Sequence, residues 1–198
     1  MYYILIILFC STIIYIPNAA INPANVNLPW VYYLLAVIIY VLTSVAVDGL
    51  VAFIIRRLPS KMIKDVKFPI RLGKKEEALF KKIKVDKWKK FMPDLGAFTK
   101  FPKGQITDPK NNEYISRFIL EAGYGVIIHY ISVFTAPLIL LLGFIDRGNL
   151  ATLTVGIPVM IVNMVLILLP ALALKYNLPK LKRIYEINLR RANKKVLN

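Results

Sequence analysis

Apolar runs of bilayer length, separated by strongly basic segments, constrain this chain more than any other feature. A helix that crosses the hydrocarbon core of a membrane needs about 20 mostly apolar residues. Three stretches reach that length, at about 29–55, 118–144 and 151–174. With 57% hydrophobic residues overall, the chain is too apolar for an ordinary soluble enzyme. The sequence therefore predicts an all-α integral membrane protein.

A fourth apolar run, at 2–16, is open to two interpretations. At about fifteen residues it is short for a span. The small residues Asn18, Ala19 and Ala20 that follow it would suit cleavage of a signal peptide. However, no Lys or Arg precedes the run, so the positively charged start of a signal peptide is missing. We favour a retained span, which brings the prediction to about four transmembrane helices.

The distribution of charge predicts the orientation of these spans. Residues 56–117 carry 18 basic and 7 acidic side chains, and residues 175–198 carry 8 basic and 1 acidic. The short connections 17–29 and 145–150 carry almost no charge. Because basic segments stay on the cytoplasmic side, the loop and the tail are predicted to be cytoplasmic, as are both termini. We expect a multi-pass protein of the cell membrane.

This organisation also indicates the partners of the basic segments. A net charge of +16 often indicates nucleic-acid binding. Basic segments placed directly beside membrane spans instead meet lipid headgroups, so we expect membrane lipids as partners and no nucleic acid. The single membrane domain divides into two spans in 1–55, a basic amphipathic loop in 56–117, a transmembrane hairpin in 118–174 and a basic tail in 175–198.

The basic loop contains a segment with helical periodicity. Phe80, Ile83, Trp88 and Phe91 fall within about 140° of arc on a helix, with lysines beside them. Such a helix can lie in the plane of the lipid headgroups with its aromatic side chains facing the acyl chains. Alternatively, it packs on its own protein and leaves the lysines in solvent. A second helix is predicted to begin near Asn112 and to continue into the next span.

Few polar residues lie inside the apolar runs, and such residues are candidates for function. Glu121 lies near the cytoplasmic end of the third span, and His129, the only histidine, lies about two turns further on. His129 must be either neutral and hydrogen-bonded or paired with an acid. Asp48 is predicted at the same depth, so an Asp48–His129 pair is a hypothesis. Glu121 has the alternative of pairing with a basic residue at the membrane boundary.

Two further polar positions belong to the last span. Asn163 is the lone amide at mid-depth, where amides serve either helix packing or a site. Tyr176 and Asn177 are predicted at the cytoplasmic end of the last helix, which we expect to finish before Pro179.

The missing motifs exclude several chemistries. One histidine and one cysteine, Cys10, provide no set of metal ligands, so no metal site is predicted. The sequence has no G-x-S-x-G elbow, no P-loop and no acid five residues after His129. An enzyme built on this chain would use one histidine with carboxylates and amides.

The order of several short motifs resembles the glycosyl-4,4'-diaponeurosporenoate acyltransferase family, over roughly residues 55–185. The motifs are Lys87-Trp88-Lys89-Lys90, Pro93-Asp94-x-Gly96, Phe118-x-x-Glu121, His129 and Lys175-Tyr176-Asn177. In the last motif, Lys175 and Leu178 stand where the family pattern has arginines.

The resemblance implies that a fatty acyl group moves from a thioester donor, such as acyl-CoA, to a sugar hydroxyl of a membrane glycolipid, as in carotenoid biosynthesis. It implies no cofactor besides the donor, and the donor and the glycolipid acceptor would be its partners. His129 would be the general base, with Glu121 or Asp94 as its partner. The residues expected to bind or position substrate are Trp88, Lys89, Asn163, Tyr176, Asn177 and Asp48.

Two other functions compete with acyl transfer. The first is a non-enzymatic scaffold or lipid-binding module that uses residues 56–117. The second is a small transporter, indicated by Asp48, Glu121 and the prolines within the spans. Four spans would suffice for transport only in a homodimer.

Overall fold

The computed structural model describes residues 30–65, 73–91, 106–145 and 152–196, together with single positions at 5, 9, 12, 13 and 16. Within these residues the chain is helical and has no strand, which confirms the all-α prediction. The helices are α1 (Trp30–Arg56), α2 (Ser60–Asp65), α3 (Lys74–Lys82), α4 (Val85–Trp88), α5 (Asn112–Thr135), α6 (Leu142–Ile145) and α7 (Ile157–Val196). Two 3₁₀ segments, Lys89–Phe91 and Ala136–Leu141, and a π-helical turn, Thr152–Gly156, adjoin them.

Three of these helical stretches are long and apolar enough to cross a membrane. They are Leu34–Arg56, Asn112–Leu141 and Thr154–Lys194, in agreement with three of the predicted spans. The predicted span at 2–16 lies outside the described residues, apart from isolated positions. Along α1, large apolar side chains such as Leu35, Leu42 and Phe53 are more than half exposed, as expected for residues that contact lipid.

The second predicted helix of the loop begins at Asn112 and continues into the third span, as the sequence predicted. Asn111 begins this helix, because its Oδ1 accepts hydrogen bonds from the backbone N–H groups of Glu113 and Tyr114. Near Pro137 the helix tightens into the 3₁₀ segment. Proline has no N–H for the α-helical ladder, which accounts for the change at this position.

The prediction that the last helix finishes before Pro179 is wrong. Helix α7 runs from Ile157 to Val196 and contains both Pro170 and Pro179. Leu178 and Leu181, on either side of Pro179, are almost completely buried. Their packing keeps the helix continuous at Pro179, where the missing backbone N–H removes one helical hydrogen bond. The basic tail is therefore a continuation of α7.

The prediction of one continuous amphipathic helix in the basic loop is also wrong. The helix breaks after Lys82, because Lys84 adopts the left-handed conformation with φ 52° and α4 starts at Val85. The break allows both Phe80 and Val85 to be buried. Phe91, which was predicted on the apolar face, is 76% exposed. We call residues 73–91 the basic hairpin.

The described residues divide into two units. The first comprises residues 1–53 and 131–168. Its core contains Ala36, Val37, Tyr40, Val41, Ile139, Val155, Val159 and Val162. Gly156 lies against the Tyr40 ring, where a Cβ would come within 2.7 Å of a ring carbon. Only glycine permits this approach between α1 and the start of α7.

The second unit comprises residues 54–130 and 169–198. It contains the basic hairpin, α5 as far as Tyr130 and α7 from Leu169 onward. Its buried apolar residues include Phe80, Val85, Ile115, Phe118, Ala171, Leu178 and Leu181. At Gly125, a Cβ would lie 2.7 Å from Leu174 Cδ1, so α5 and α7 pack closely at this point.

Candidate functional site

Two separate segments of the predicted site meet in the second unit. Lys89 Nζ, on the basic hairpin, donates a hydrogen bond of 2.5 Å to Asn177 Oδ1 on α7. The same ammonium lies 4.7 Å from the centroid of the Tyr176 ring, which is within cation–π distance. We call Lys89, Tyr176 and Asn177 the Lys89 cluster. The structure thus joins the lysine–tryptophan and the lysine–tyrosine–asparagine motifs, which are 88 residues apart.

Trp88, the fourth predicted residue of this region, supports the hairpin itself. Its indole Nε1 donates to the carbonyl oxygen of Ile83 at 3.1 Å. That carbonyl belongs to the turn between α3 and α4, where the helical hydrogen bonds stop. The indole therefore stabilises the break in the helix and fixes the position of the neighbouring Lys89.

The environment of Lys89 favours an anion. Partial burial lowers the pKa of its ammonium, and the positive charge of Lys180 on α7 lowers it further, while Asp86 acts in the opposite direction. Two cations held near each other repel, and a bound anion would relieve that repulsion. The Lys89 cluster thus has the electrostatics of a site for a phosphate or a similar group.

A second connection between the hairpin and α7 is completely buried at one end. Lys175 is 0% exposed, and its Nζ donates to Glu76 Oε1 at 2.5 Å. The other carboxylate oxygen, Glu76 Oε2, accepts from the backbone N–H of Gly73 at 2.9 Å. Burial raises the pKa of Glu76, but the bonds from Lys175 and Gly73 outweigh it and leave the pKa below its ordinary value. The carboxylate therefore stays charged at neutral pH.

Lys175 also lies close to the residue that follows the predicted base. Its Nζ is 5.4 Å from the centroid of the Tyr130 ring. Tyr130 is adjacent to His129 on α5, and His129 itself is half-buried. This part of α5, the lysine–tyrosine–asparagine motif and the basic hairpin therefore belong to one connected set of side chains. The role of His129 as a base stays a prediction.

Glu121 has a basic partner in the structure. Both Nη atoms of Arg56 lie 3.3 Å from Glu121 Oε2. This contact matches the alternative in which Glu121 pairs with a basic residue at the membrane boundary. Its other predicted role, as the partner of His129, stays a prediction. Asp94 lies outside the described residues.

The other two predicted substrate-binding residues belong to the first unit. The Asp48 carboxyl lies beside the Asn163 amide and the Ser132 hydroxyl. Ser132 and Asn163 are each only 1% exposed. The structure thus places Asp48 and Asn163 together in one polar group within the spans. The proposed pair of Asp48 with His129 stays a prediction.

Sequence reasoning missed four residues of these groups: Glu76, Tyr130, Lys175 as a buried cation, and Ser132. Gly73 and Glu76 have the spacing of a helix-capping box, which predicts the local bond between them. No signal in the sequence predicts the bond from Glu76 to Lys175, because it joins residues 99 positions apart. Among the residues that the structure describes, no group of three His, Cys, Asp or Glu side chains could hold a metal ion.

These features define the class of the protein: an all-α protein with three helices long and apolar enough to cross a membrane and a basic hairpin that is bonded to the last of them. The family model described as glycosyl-4,4'-diaponeurosporenoate acyltransferase matches residues 59–187, and the chain belongs to that family. The protein is therefore a membrane acyltransferase of carotenoid glycolipid biosynthesis. No curated protein and no solved structure gives a significant match.

Proposed function

We propose that the protein transfers a fatty acyl group from a thioester donor to a hydroxyl of the sugar on a membrane glycolipid, with His129 as general base. Family membership supports the class of reaction and the class of acceptor. The observation that carries the proposal is the junction of the hairpin with α7 through Lys89 and Asn177. Lys175, two residues before Asn177 on α7, has its Nζ 5.4 Å from the ring centroid of Tyr130, the residue next to His129.

The reaction is a single displacement at the thioester carbonyl. His129 accepts the proton of the sugar hydroxyl while the oxygen attacks the carbonyl carbon. The resulting tetrahedral oxyanion collapses, an ester bond forms and the carbon–sulfur bond breaks. The thiolate that leaves takes the proton from the imidazolium. The protein returns to its starting state, and no cofactor other than the donor takes part.

The Lys89 cluster is proposed to hold the phosphate-bearing carrier of the donor. Lys89 and Lys180 supply the positive charge, and the Asn177 side chain fixes the position of the Lys89 ammonium. Charge-assisted hydrogen bonds to phosphate are stronger than neutral ones. Trp88 contributes indirectly, because its bond to Ile83 fixes the end of the hairpin. Asp48 and Asn163 remain candidates for contacts to the acceptor.

The orientation that we propose agrees with this assignment. The basic hairpin and the basic end of α7 face the cytoplasm by the positive-inside rule. The donor site then lies on the side of the membrane where a water-soluble acyl carrier is present.

The assay that tests this proposal measures acyl transfer by the full-length protein in lipid nanodiscs. The donor is radiolabelled palmitoyl-CoA, and the acceptor is dodecyl glucoside. We expect Lys89→Ala to raise the KM for palmitoyl-CoA about tenfold with a smaller effect on kcat, because it removes a charged hydrogen-bond donor. Lys82→Ala, an exposed lysine of the same hairpin, is the matched control and should leave the KM unchanged.

Two results would contradict the proposal. Equal KM values for the wild type and Lys89→Ala would show that the cluster does not bind the donor. Transfer by His129→Ala at the wild-type rate would show that the histidine is not the base.

A further inference from the structure

A groove of about 400 Å³ lies between α5 and α7 in the second unit, and none of its residues belongs to the Lys89 cluster. Its polar lining consists of Ser116 on α5 and of Lys182, Tyr185 and Glu186 on α7. Ile63 and Leu120 contribute to its apolar lining. The volume lies within the range of about 300–1,000 Å³ that is usual for small-molecule sites.

The groove is close to neutral, unlike the basic hairpin. Lys182 is balanced by Glu186 within it. A neighbouring cavity shares Ser116 with the groove and again combines one acid and one base, Glu113 and Arg117. A carrier with several phosphates gains little electrostatic energy from such a lining. A neutral polar ligand is favoured here.

The polar side chains of the groove suit a ligand with several hydroxyl groups. A hydroxyl both donates and accepts hydrogen bonds. Glu186 accepts, Lys182 donates, and the hydroxyls of Ser116 and Tyr185 do both. The Tyr185 ring also offers an apolar face for the C–H groups of a sugar. Ile63 and Leu120 add further apolar surface to the groove.

The position of the groove agrees with a lipid headgroup. Ser116 lies two residues before Phe118, where the polar start of α5 gives way to the apolar span. Polar groups of membrane lipids lie at this boundary. The α5 residues of the groove lie 6–13 positions before His129, or about 9–20 Å along the helix, so a sugar bound there is not yet at the base. We infer that the groove is a first binding site for the sugar headgroup of the acceptor glycolipid, with Lys182, Tyr185 and Glu186 holding its hydroxyls before the headgroup moves to react. The inference takes the identity of the acceptor from the proposed function.

Photocrosslinking tests this inference directly. The probe is a dodecyl glucoside that carries a diazirine on the first carbons of its chain, and the protein is the full chain in nanodiscs. We expect the labelled peptides to contain residues 116–123 and 182–189. Unlabelled dodecyl glucoside should compete, and dodecylphosphocholine should not. Labelling confined to other segments, or equal competition by dodecylphosphocholine, would overturn the inference.

Substitutions in the groove provide a second test. We expect Glu186→Gln to raise the concentration for half-maximal labelling about tenfold, because it weakens the bonds to the sugar hydroxyls. Glu77→Gln is the matched control, since Glu77 is an exposed glutamate that pairs with Lys81 on α3. Labelling should be unchanged in that variant. An equal change of labelling in the two variants would contradict the groove as the sugar site. If Glu186→Gln does not fold, the positions of the crosslinks in the wild-type protein decide whether the groove binds the sugar.

Acyl transfer measured on the same samples separates the two proposals. Acyl transfer to the glucoside with crosslinks outside the groove would overturn the sugar site and leave the proposed function standing. Crosslinks in the groove without any acyl transfer to the glucoside would support the sugar site and contradict the proposed function.

Discussion

At the scale of single residues, Lys175 has an environment that is unusual for a lysine. Its side chain is fully buried, yet it carries a charge that is balanced by Glu76 at 2.5 Å. Burying an ammonium is costly unless a partner compensates it. Glu76 is 36% exposed, so water reduces the strength of the pair. Removing the partner still leaves a buried positive charge with less compensation.

We therefore expect Glu76→Gln to destabilise the protein by about 1–3 kcal/mol. Lys175→Met/Glu76→Gln should be more stable than Glu76→Gln alone, because the buried charge is then absent. The measurement is the thermal unfolding of the four members of this double-mutant cycle in detergent micelles. Strictly additive effects of the two substitutions would show that the pair does not couple.

The same pair predicts a pH dependence. Because the pKa of Glu76 in the folded protein lies below its ordinary value of 4.5, the pair stabilises the fold fully above that value. The stabilisation is lost as the pH falls through the lowered pKa, when the carboxylate takes up a proton. The difference in Tm between wild type and Glu76→Gln should be constant near neutral pH and shrink below about pH 4.5. A difference that grows on acidification would contradict this assignment.

At the scale of elements, the break in the basic hairpin separates what the sequence could predict from what it could not. Periodicity correctly indicated helix on both sides of Lys84, since it reports local preference. The left-handed conformation of Lys84 follows from the burial of both Phe80 and Val85. Their burial depends on contacts with distant residues; for example, the ring centroids of Phe80 and Tyr176 are 6.3 Å apart. The spacing of apolar residues along the sequence does not report such long-range packing.

The same distinction applies to the candidate site. Motif order identified Trp88, Lys89, Tyr176 and Asn177, and the structure joins three of them directly. Motif order could not identify Glu76, because its partner Lys175 is distant in sequence. Proline rules placed the end of α7 too early, because they take no account of the packing of Leu178 and Leu181.

The conformation of Lys84 gives a prediction for the hairpin. Since φ is 52° there and glycine adopts this region without strain, Lys84→Gly should stabilise the protein by about 1 kcal/mol. Ala78→Gly, at an exposed position inside α3, is the control and should cost about 1 kcal/mol. Thermal unfolding of both variants provides the measurement. A loss of stability in Lys84→Gly would argue against a left-handed residue at the break.

At the scale of the whole molecule, the basic segments determine which side of the membrane carries the site. Because the hairpin and the end of α7 are both strongly basic, we place them together in the cytoplasm. In a Cys10→Ala background, Lys110→Cys and Lys194→Cys should react with a membrane-impermeant maleimide only after the cells are permeabilised. Asn149→Cys, in the short connection between the last two spans, should react in intact cells. The reverse pattern would contradict the orientation.

The central claim, that this membrane protein acylates a glycolipid with His129 as the base, is tested most directly by the lipids that it produces. The measurement is mass spectrometry of membrane lipids from cells without the gene, with the wild-type gene and with His129→Ala at equal protein levels. We predict that a glycolipid gains the mass of a fatty acyl group only with the wild type, and that the variant loses about 100-fold or more of this product. Equal product from the wild type and His129→Ala would contradict the role of the histidine, and no acylated glycolipid in any sample would contradict the reaction itself.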